Sequence, residues 1–466
     1  MVRGAMSFAD RRRALMTSLD RPLLLFSGGF ISRNYPANSY PYRADSTFLY
    51  LFDAPEPGSA ALLDPAAGKV TLFLPERTVA DALWHGELPS FEAEQARHQV
   101  DAVAAIEGLE KHLEGRSVDC LAIADRRTNA RARAITNTPI DFDDPNQVAT
   151  RPAVLEAIAA LRLIKDADEI AQMRRTAIVT REAHEAAMRA SVAGVKEELL
   201  AGIVEGTFSR HGCVPAYGTI LSVRGEVLHN HGHTNTLQDG DIVLLDAGAE
   251  NAAGYCSDVT RSWPVGKGFS PEGAELYDLV LKAGEASTAL VRPGARYRDV
   301  HLKSCEVIAE GLVAMGLLKG SPAGLVESGA HAMFFPHGVG HQIGLDVHDL
   351  EAFGDLIHYP QGRTRSTQFG TQYLRMDMDL VAGMTFTIEP GIYFVPAILR
   401  SPKFREQFRG QVDFQRAEKF LAMNGGRGFG GIRIEDDVLC TGAGPEVLTA
   451  QIPKLRSQVE ALAGSA

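Results

Sequence analysis

Two aspartates stand in strongly apolar segments, where a buried charge needs a partner. Asp246 lies in the apolar run DIVLLDAG, which is typical of a strand buried on both faces, and Asp258 follows 12 positions later in YCSDVTRSWPV. Because side chains alternate along a strand, a hairpin with this even separation could place both carboxylates on one face. A divalent cation between them would remove both their repulsion and the cost of burying them. The alternative is a pair of turn or capping aspartates.

Three histidines, His337, His341 and His348, fall within 12 positions in the segment FFPHGVGHQIGLDVHDLE. The glycines between them allow the backbone to approach a ligand closely. We therefore expect one metal-ligating imidazole and one or two catalytic imidazoles here. For any one of the three, a hydrogen-bonded core histidine is the alternative.

Two glutamates interrupt apolar strands in the same manner. Glu389 ends the run MTFTIE before Pro390, and Glu435 lies inside GGIRIEDDVL. A salt bridge to a neighbour such as Arg433 would explain either glutamate alone. Taken together, the chain offers four carboxylates and one imidazole as possible ligands: Asp246, Asp258, His341, Glu389 and Glu435.

This donor set is rich in oxygen and contains no thiolate. It suits manganese, cobalt, iron or zinc in a carboxylate-bridged pair better than a closed structural zinc site. Two metals about 3.5 to 4 Å apart share an acidified water and bind the oxygen under attack. The chemistry indicated is hydrolysis.

The elements that position these residues fall into two parts. The first part, up to about residue 150, is mixed α/β, and residues 151–190 have a helical period. Beyond residue 192 we predict a larger α+β domain with helices near 271–291 and 297–315. The strands predicted across both parts are PLLLFSG, STFLYLF, AALLDP, VTLFLP, VDCLAIA, TILSV, DIVLLDAG, MTFTIEPGIY and GIRIEDDVL, and VDAVAAIEGLEKHLEG is predicted as a helix.

Composition limits the class of protein. The chain has 466 residues, of which 45% are hydrophobic, and its formal net charge of -11 argues against binding to nucleic acid or anionic membranes. It contains no apolar run of about 18 residues and no secretory leader, which favours a cytoplasmic protein. The five cysteines are widely spaced without a C-x-x-C pair, so we expect reduced thiols.

Five blocks, in order, carry a family resemblance: LLDAG, SDVTRSWPV, PHGVGHQIGLDVHD, TIEPGIY and GIRIEDDV. They resemble the pita-bread metallopeptidases, in the branch of Xaa-Pro dipeptidases (prolidases) and Xaa-Pro aminopeptidases (aminopeptidase P). The resemblance implies an α+β fold in which a smaller α/β domain, similar to the aminopeptidase P N-terminal domain, occupies residues 1–155. The pita-bread catalytic domain would then occupy residues 156–466.

The resemblance also assigns roles to the site residues. It implies two divalent metals, with Asp246 on one, His341 and Glu389 on the other, and Asp258 and Glu435 bridging both. Glu389 would also act in catalysis, as would His229 and His348, while His337, Arg375 and Arg433 would lie on the substrate side. Manganese is the expected metal, with cobalt or zinc as alternatives, and a homodimer is the expected assembly.

The expected reaction is cleavage of the bond before proline in Xaa-Pro dipeptides. The long interval between Glu389 and Glu435 looks more like prolidase, although the separation of Asp246 and Asp258 is one residue longer than the family's usual 11. Arg375 could bind the free carboxylate of a dipeptide through its guanidinium fork. The alternatives are aminopeptidase P, which acts on longer Xaa-Pro peptides, and a non-catalytic peptide-binding protein on the same fold.

Overall fold

Short apolar segments in the first third of the chain form one mixed sheet, and the glycine-rich remainder forms several smaller sheets around long helices. The computed structural model describes residues 3–140, 142, 150–266 and 268–465. Two compact units result. The N-terminal unit comprises Gly4–Leu163 and Leu350–Ile357, and the C-terminal unit comprises Met1–Arg3, Ile164–Asp349 and His358–Ala466.

The N-terminal unit is built on a five-stranded sheet. Its strands are, in spatial order, Ala102–Ala105, Lys69–Leu74, Ala60–Asp64, Leu23–Phe26 and Asp119–Cys120. The three central strands pair antiparallel, and each outer strand pairs parallel with its neighbour. Its helices are Phe8–Met16, Ser46–Leu51, Val79–His85, Phe91–His98, Leu109–Leu113, Arg126–Thr136 and Pro152–Arg162.

Two predictions for this unit are wrong. STFLYLF was predicted as a strand, but Ser46–Leu51 is a helix whose first turn is capped by the Asp45 carboxylate, which accepts from the N–H groups of Thr47 and Phe48. VDAVAAIEGLEKHLEG was predicted as one helix. Its first part is the strand Ala102–Ala105, because parallel pairing with Lys69–Leu74 satisfies that backbone, and only its end is helical.

Long helices of the C-terminal unit begin at favourable caps. Asp166 accepts from backbone N–H groups in the first turn of Ala167–Ala190, and Glu169 reaches back to the Asp166 N–H. Pro271 occupies the first turn of Pro271–Thr288, where its missing N–H costs nothing. The further helices are Glu197–Arg210, Tyr297–Ala314, Pro322–Ser328, Pro396–Leu399, Pro402–Gln407, Phe414–Leu421, Met423–Gly426 and Arg456–Leu462.

Small antiparallel sheets in the C-terminal unit hold the segments that carry the candidate site. Ile242–Asp246 lies between Ile220–Ser222 and Thr260–Pro264, and Asp436–Thr441 lies between Thr385–Ile388 and Gly444–Val447. Two-stranded pairs join Gly391–Tyr393 to Gly431–Arg433, and Val214–Pro215 to Ala249–Glu250. The central strands of both larger sheets are almost fully buried, so any charge on them lies at low dielectric.

In the part of the chain that the structure describes, no helix combines the length and the apolar composition needed to cross a membrane.

Candidate metal centre and active site

The first two candidate ligands meet across a hairpin. Asp246 pairs opposite Thr260, so Asp258, two residues earlier on the returning strand, projects from the same face. Both aspartates are buried, at 8% and 5% exposure. The two backbones pass so closely that a Cβ at Gly248 would lie 1.7 Å from the carbonyl oxygen of Ser257. The Tyr217 hydroxyl contacts Oδ1 of both aspartates and ties them together.

His341 reaches the same point from the glycine-rich segment. Its Nε2 lies 3.3 Å from Asp258 Oδ2 and 3.8 Å from Glu389 Oε1. Its backbone is hydrogen-bonded to Thr387, whose N–H donates to the His341 carbonyl over 2.8 Å. Gly340 makes this packing feasible, because a Cβ there would lie 2.3 Å from the Thr387 carbonyl oxygen.

Glu389 and Glu435 arrive from the ends of two paired strands. Ile388 pairs with Asp436, so the glutamates flank this last pair and lie side by side. The Glu435 carboxylate accepts from the Thr260 hydroxyl over 2.6 Å, which links it to the aspartate hairpin. Asp258, His341 and Glu435 each offer one ligand atom, and these three atoms lie within 4.8 Å of one another. That spacing suits a single cation.

Unbalanced negative charge is the main electrostatic feature of the cluster. Burial raises the pKa of Asp246 to about 6 and that of Glu389 to about 7, and it raises the pKa of Glu435 well above its ordinary value. For Asp258, burial is outweighed by the hydrogen bond and charge of His341, and its pKa is lowered. A divalent cation would offset this cost of burial and favour the ionised form of these three carboxylates.

Arg433 supplies a buried positive charge beside the cluster. It is 3% exposed, donates from Nη2 to Asp246 Oδ2, and also donates to the Tyr393 hydroxyl over 3.1 Å. The salt bridge to Glu435 considered from the sequence is thus replaced by one to Asp246. Arg433 lines the cavity described next, and its substrate-side role stays a prediction.

A cavity of about 580 Å³ opens over these residues. All ten residues singled out from the sequence line it: His229, Asp246, Asp258, His337, His341, His348, Arg375, Glu389, Arg433 and Glu435. The His348 ring stacks on that of His341 with 3.8 Å between centroids. Burial, followed by the charge of Arg433, lowers the pKa of His229 and lowers that of His337 to about 3, so both imidazoles are neutral near pH 7.

Arg375 is exposed and stands at the rim of this cavity. Surface pairing with Asp377 or Asp379 was the alternative to a substrate role. The structure pairs Asp377 with Arg296 and Asp379 with Arg363. Those two carboxylates are therefore already engaged.

Sequence reasoning missed several cavity residues. Tyr217 precedes Asp246 by 29 positions, and no spacing rule links a lone tyrosine to a carboxylate so far along the chain. Tyr393 lies beside the cavity, where its hydroxyl accepts from Arg433 and is hydrogen-bonded to His337 Nε2 at 2.9 Å. It is the last residue of the block TIEPGIY, so that block was a usable signal for it. Glu226 also lines the cavity and was not considered as a site residue. His231, an alternative to its neighbour His229 on the substrate side, lines the cavity as well.

Comparisons with known proteins agree with this geometry. Residues 171–442 match the model of metallopeptidase family M24, and residues 8–120 match the aminopeptidase P N-terminal domain. The human Xaa-Pro dipeptidase is 31% identical over 94% of this chain and 88% of its own length. The Xaa-Pro aminopeptidase of Escherichia coli is 32% identical over 98% of this chain and 97% of its own.

Solved structures give the same result for the fold. Zinc-substituted Escherichia coli aminopeptidase P in complex with product has a TM-score of 0.79 at 30% identity, covering 98% of each chain. The Pseudomonas aeruginosa aminopeptidase PepP has a TM-score of 0.80 at 31% identity, covering 100% of this chain and 99% of its own. The predicted fold, a smaller N-terminal domain before a pita-bread catalytic domain, is confirmed. This chain belongs to metallopeptidase family M24, in the branch of the Xaa-Pro dipeptidases and aminopeptidase P.

Proposed function

We propose that this metallopeptidase hydrolyses the peptide bond before proline, with Xaa-Pro dipeptides as its substrates. The observation that carries the proposal is the convergence of Asp258, His341 and Glu435 on one point inside a cavity. Relatives named Xaa-Pro dipeptidase and Xaa-Pro aminopeptidase match nearly the whole chain. A bond before proline is a tertiary amide without an N–H, so peptidases that need that donor cleave it poorly.

Two divalent metals are proposed at this centre, with manganese as the first choice and cobalt or zinc as alternatives. The proposed ligands are Asp246, Asp258, His341, Glu389 and Glu435. The donor set supports the proposal, because four carboxylates with one imidazole suit these metals. The electrostatics support it too, since burial raises the pKa of three of these carboxylates, and a divalent cation would favour their ionised form.

When bound, two such metals supply an acidified water and a positive charge opposite the carbonyl oxygen. The chain's own residues then have distinct proposed roles. Glu389 accepts a proton and delivers it to the prolyl nitrogen as the bond breaks. An imidazole N–H of His348 or His229 donates to the developing oxyanion.

Selectivity for dipeptides is proposed to depend on Arg375. A dipeptide carries a free carboxylate one residue beyond the scissile bond, and a guanidinium can bind it with two charge-assisted hydrogen bonds. Phe369 and Tyr373, from the polar stretch 359–373, line the cavity together with Arg375. His337 and Arg433 complete the proposed substrate side.

The decisive experiment compares Ala-Pro with Ala-Pro-Ala after loading the protein with manganese and separating the products by chromatography. Faster release of free proline from Ala-Pro is the expected result. Faster cleavage of Ala-Pro-Ala would identify an aminopeptidase P. If neither peptide is cleaved, the proposed function is rejected.

We further propose a homodimer, a cytoplasmic location and a division into domains at residues 155 and 156. The homodimer rests on the family resemblance and can be checked by light scattering. The location is supported by the cysteines, because none of the five described cysteines is in a disulfide and all are buried: Cys120, Cys213, Cys256, Cys305 and Cys440. Free thiols are typical of a reducing compartment.

A further inference from the structure

One wall of the cavity is a loop between Ser222 and Asn235 that is held at both ends by a single buried carboxylate. Glu197 is 0% exposed, and its carboxylate accepts from the Val223 N–H over 2.8 Å and from the Asn235 N–H over 3.1 Å. The Ser222 hydroxyl and the Asn235 side-chain amide donate to it as well. Side chains on this loop are therefore presented to the cavity from a fixed backbone.

Glu226, on this loop, has a carboxylate that is only half satisfied. It is 6% exposed and lines the cavity. Oε1 accepts from Arg224 Nε over 2.7 Å. Oε2 is buried and has no hydrogen-bond partner among the described residues. An unmet buried acceptor of this kind is unfavourable, and more so when it belongs to a charged group.

An occupant of the cavity that carries an N–H group is a natural source of the missing donor. Glu226 is not one of the five proposed metal ligands, so the metals leave Oε2 unsatisfied. Arg224 engages only the other oxygen, and its side chain is 44% exposed, so water screens much of its charge. Ile220, Leu228 and Val395 line the same cavity and give apolar surface suited to a methylene stem.

We propose that Glu226 is a specificity residue that accepts a hydrogen bond from a cationic nitrogen of the substrate residue before proline. Two nitrogens have this chemistry: the α-ammonium group and the side-chain ammonium of lysine. The proposal rests on the proposed function, because it presumes an Xaa-Pro substrate. It adds a recognition element for Xaa to the proposed role of Arg375 on the opposite end of a dipeptide.

The test is the isosteric variant Glu226→Gln, loaded with metal like the wild type, with kcat/KM measured for four compounds. Lys-Pro and Met-Pro differ in the side-chain charge, and Ala-Pro and lactyl-proline differ in the α-ammonium group. We expect one of the two ratios, Lys-Pro to Met-Pro or Ala-Pro to lactyl-proline, to fall about tenfold or more, as expected for a lost charge-assisted hydrogen bond. The ratio that falls identifies which nitrogen Glu226 binds.

Two further variants complete the design. Glu198→Gln removes the same charge from an exposed position, where the side chain is 63% exposed, and should change neither ratio. Arg224→Gln removes the ion pair but keeps the carboxylate, so both ratios should be kept. If Glu226→Gln does not fold, Glu226→Ala takes its place, with the same expected fall in one ratio and the same refuting outcomes. With folded Glu226→Gln, unchanged ratios overturn the proposal, as does an equal loss on all four compounds. If the wild type cleaves none of them, the proposed function fails, and with it the role of Glu226 in binding a proline peptide.

Discussion

Removing the metals should make Glu389 a measurable source of instability at alkaline pH. Burial, together with the nearby Asp258 and Asp246, raises its pKa from the ordinary 4.5 to about 7, although His341 and Arg433 oppose the rise. The folded chain therefore keeps this proton over a pH range in which the unfolded chain has lost it. The contribution of Glu389 to stability is most favourable near pH 4.5 and falls as the pH rises through 7.

The size of the effect follows from the same pKa values. A pKa raised from 4.5 to about 7 corresponds to about 3 kcal/mol of lost stability once the group is ionised. Since 18% of the Glu389 side chain remains accessible, about 3 kcal/mol is the upper end of the expected effect. The variant Glu389→Gln cannot ionise at this position, so it should not show this loss of stability.

The assay is urea unfolding of chelator-treated wild type and Glu389→Gln between pH 5 and 8.5, followed by tryptophan fluorescence. Trp263 is fully buried in the C-terminal unit, whereas Trp84 is 77% exposed, so the signal reports mainly on the unit that holds the site. Burial lowers the pKa of His301 to about 3 and that of His331 to about 4, which makes both proteins gain stability as the pH rises to about 6.5. That opposing trend cancels in the difference between the two proteins.

We expect the wild-type free energy of unfolding, relative to Glu389→Gln, to fall by up to about 3 kcal/mol from pH 5 to 8.5. Added manganese should restore the wild type at pH 8.5. Glu198→Gln, at an exposed position, should follow the wild type at every pH. A difference that is flat, or that rises with pH, would refute the reasoning, because it would mean that Glu389 is ionised at its ordinary pKa.

Three substitutions test the remaining assignments. Asp258→Asn should lose metal in elemental analysis and at least about 100-fold in kcat/KM, because the other ligands cannot hold two ions together; unchanged metal content would reject it as a ligand. His348→Ala should keep its metal but lose about 100-fold in kcat, and metal loss would instead make His348 a ligand. Arg375→Ala should lower kcat/KM for Ala-Pro about 10- to 100-fold while changing that for Ala-Pro-Ala by less than about twofold, and an equal loss on both peptides would contradict its role in dipeptide selectivity.

The catalytic unit was more predictable from sequence than the N-terminal unit, for a physical reason. Asp246, Glu389 and Glu435 interrupt apolar runs, and a charged residue in such a run can be recognised from the sequence alone. The strands around Glu389 and Glu435 are shorter than predicted, because each of those two predicted runs is divided into two strands. The even spacing of Asp246 and Asp258 agrees with the observed register, in which Asp246 faces Thr260.

The predictions for short elements were wrong because single contacts decide the structure of such elements. Ser46–Leu51 is six residues long, rich in aromatic and β-branched side chains, and helical because the Asp45 carboxylate caps its first turn. Ala102–Ala105 is a strand because a partner strand lies beside it. The place of Tyr217 in the site could not be predicted from the sequence, because its hydroxyl contacts carboxylates that lie 29 and 41 positions away along the chain.

The close packing around Gly340 also limits which positions of this protein can accept substitutions during evolution. At Gly338 any side chain would lie within 2.8 Å of the Leu374 backbone, and at Gly340 within 2.3 Å of the Thr387 carbonyl oxygen. Substitutions at these two glycines would be removed by selection whichever peptide the enzyme cleaves, because they would disrupt the packing of the backbone. Heritable variation in substrate preference should instead accumulate on the loop between Ser222 and Asn235, apart from the proposed catalytic His229, and a library for directed evolution is best confined to the other positions of that loop.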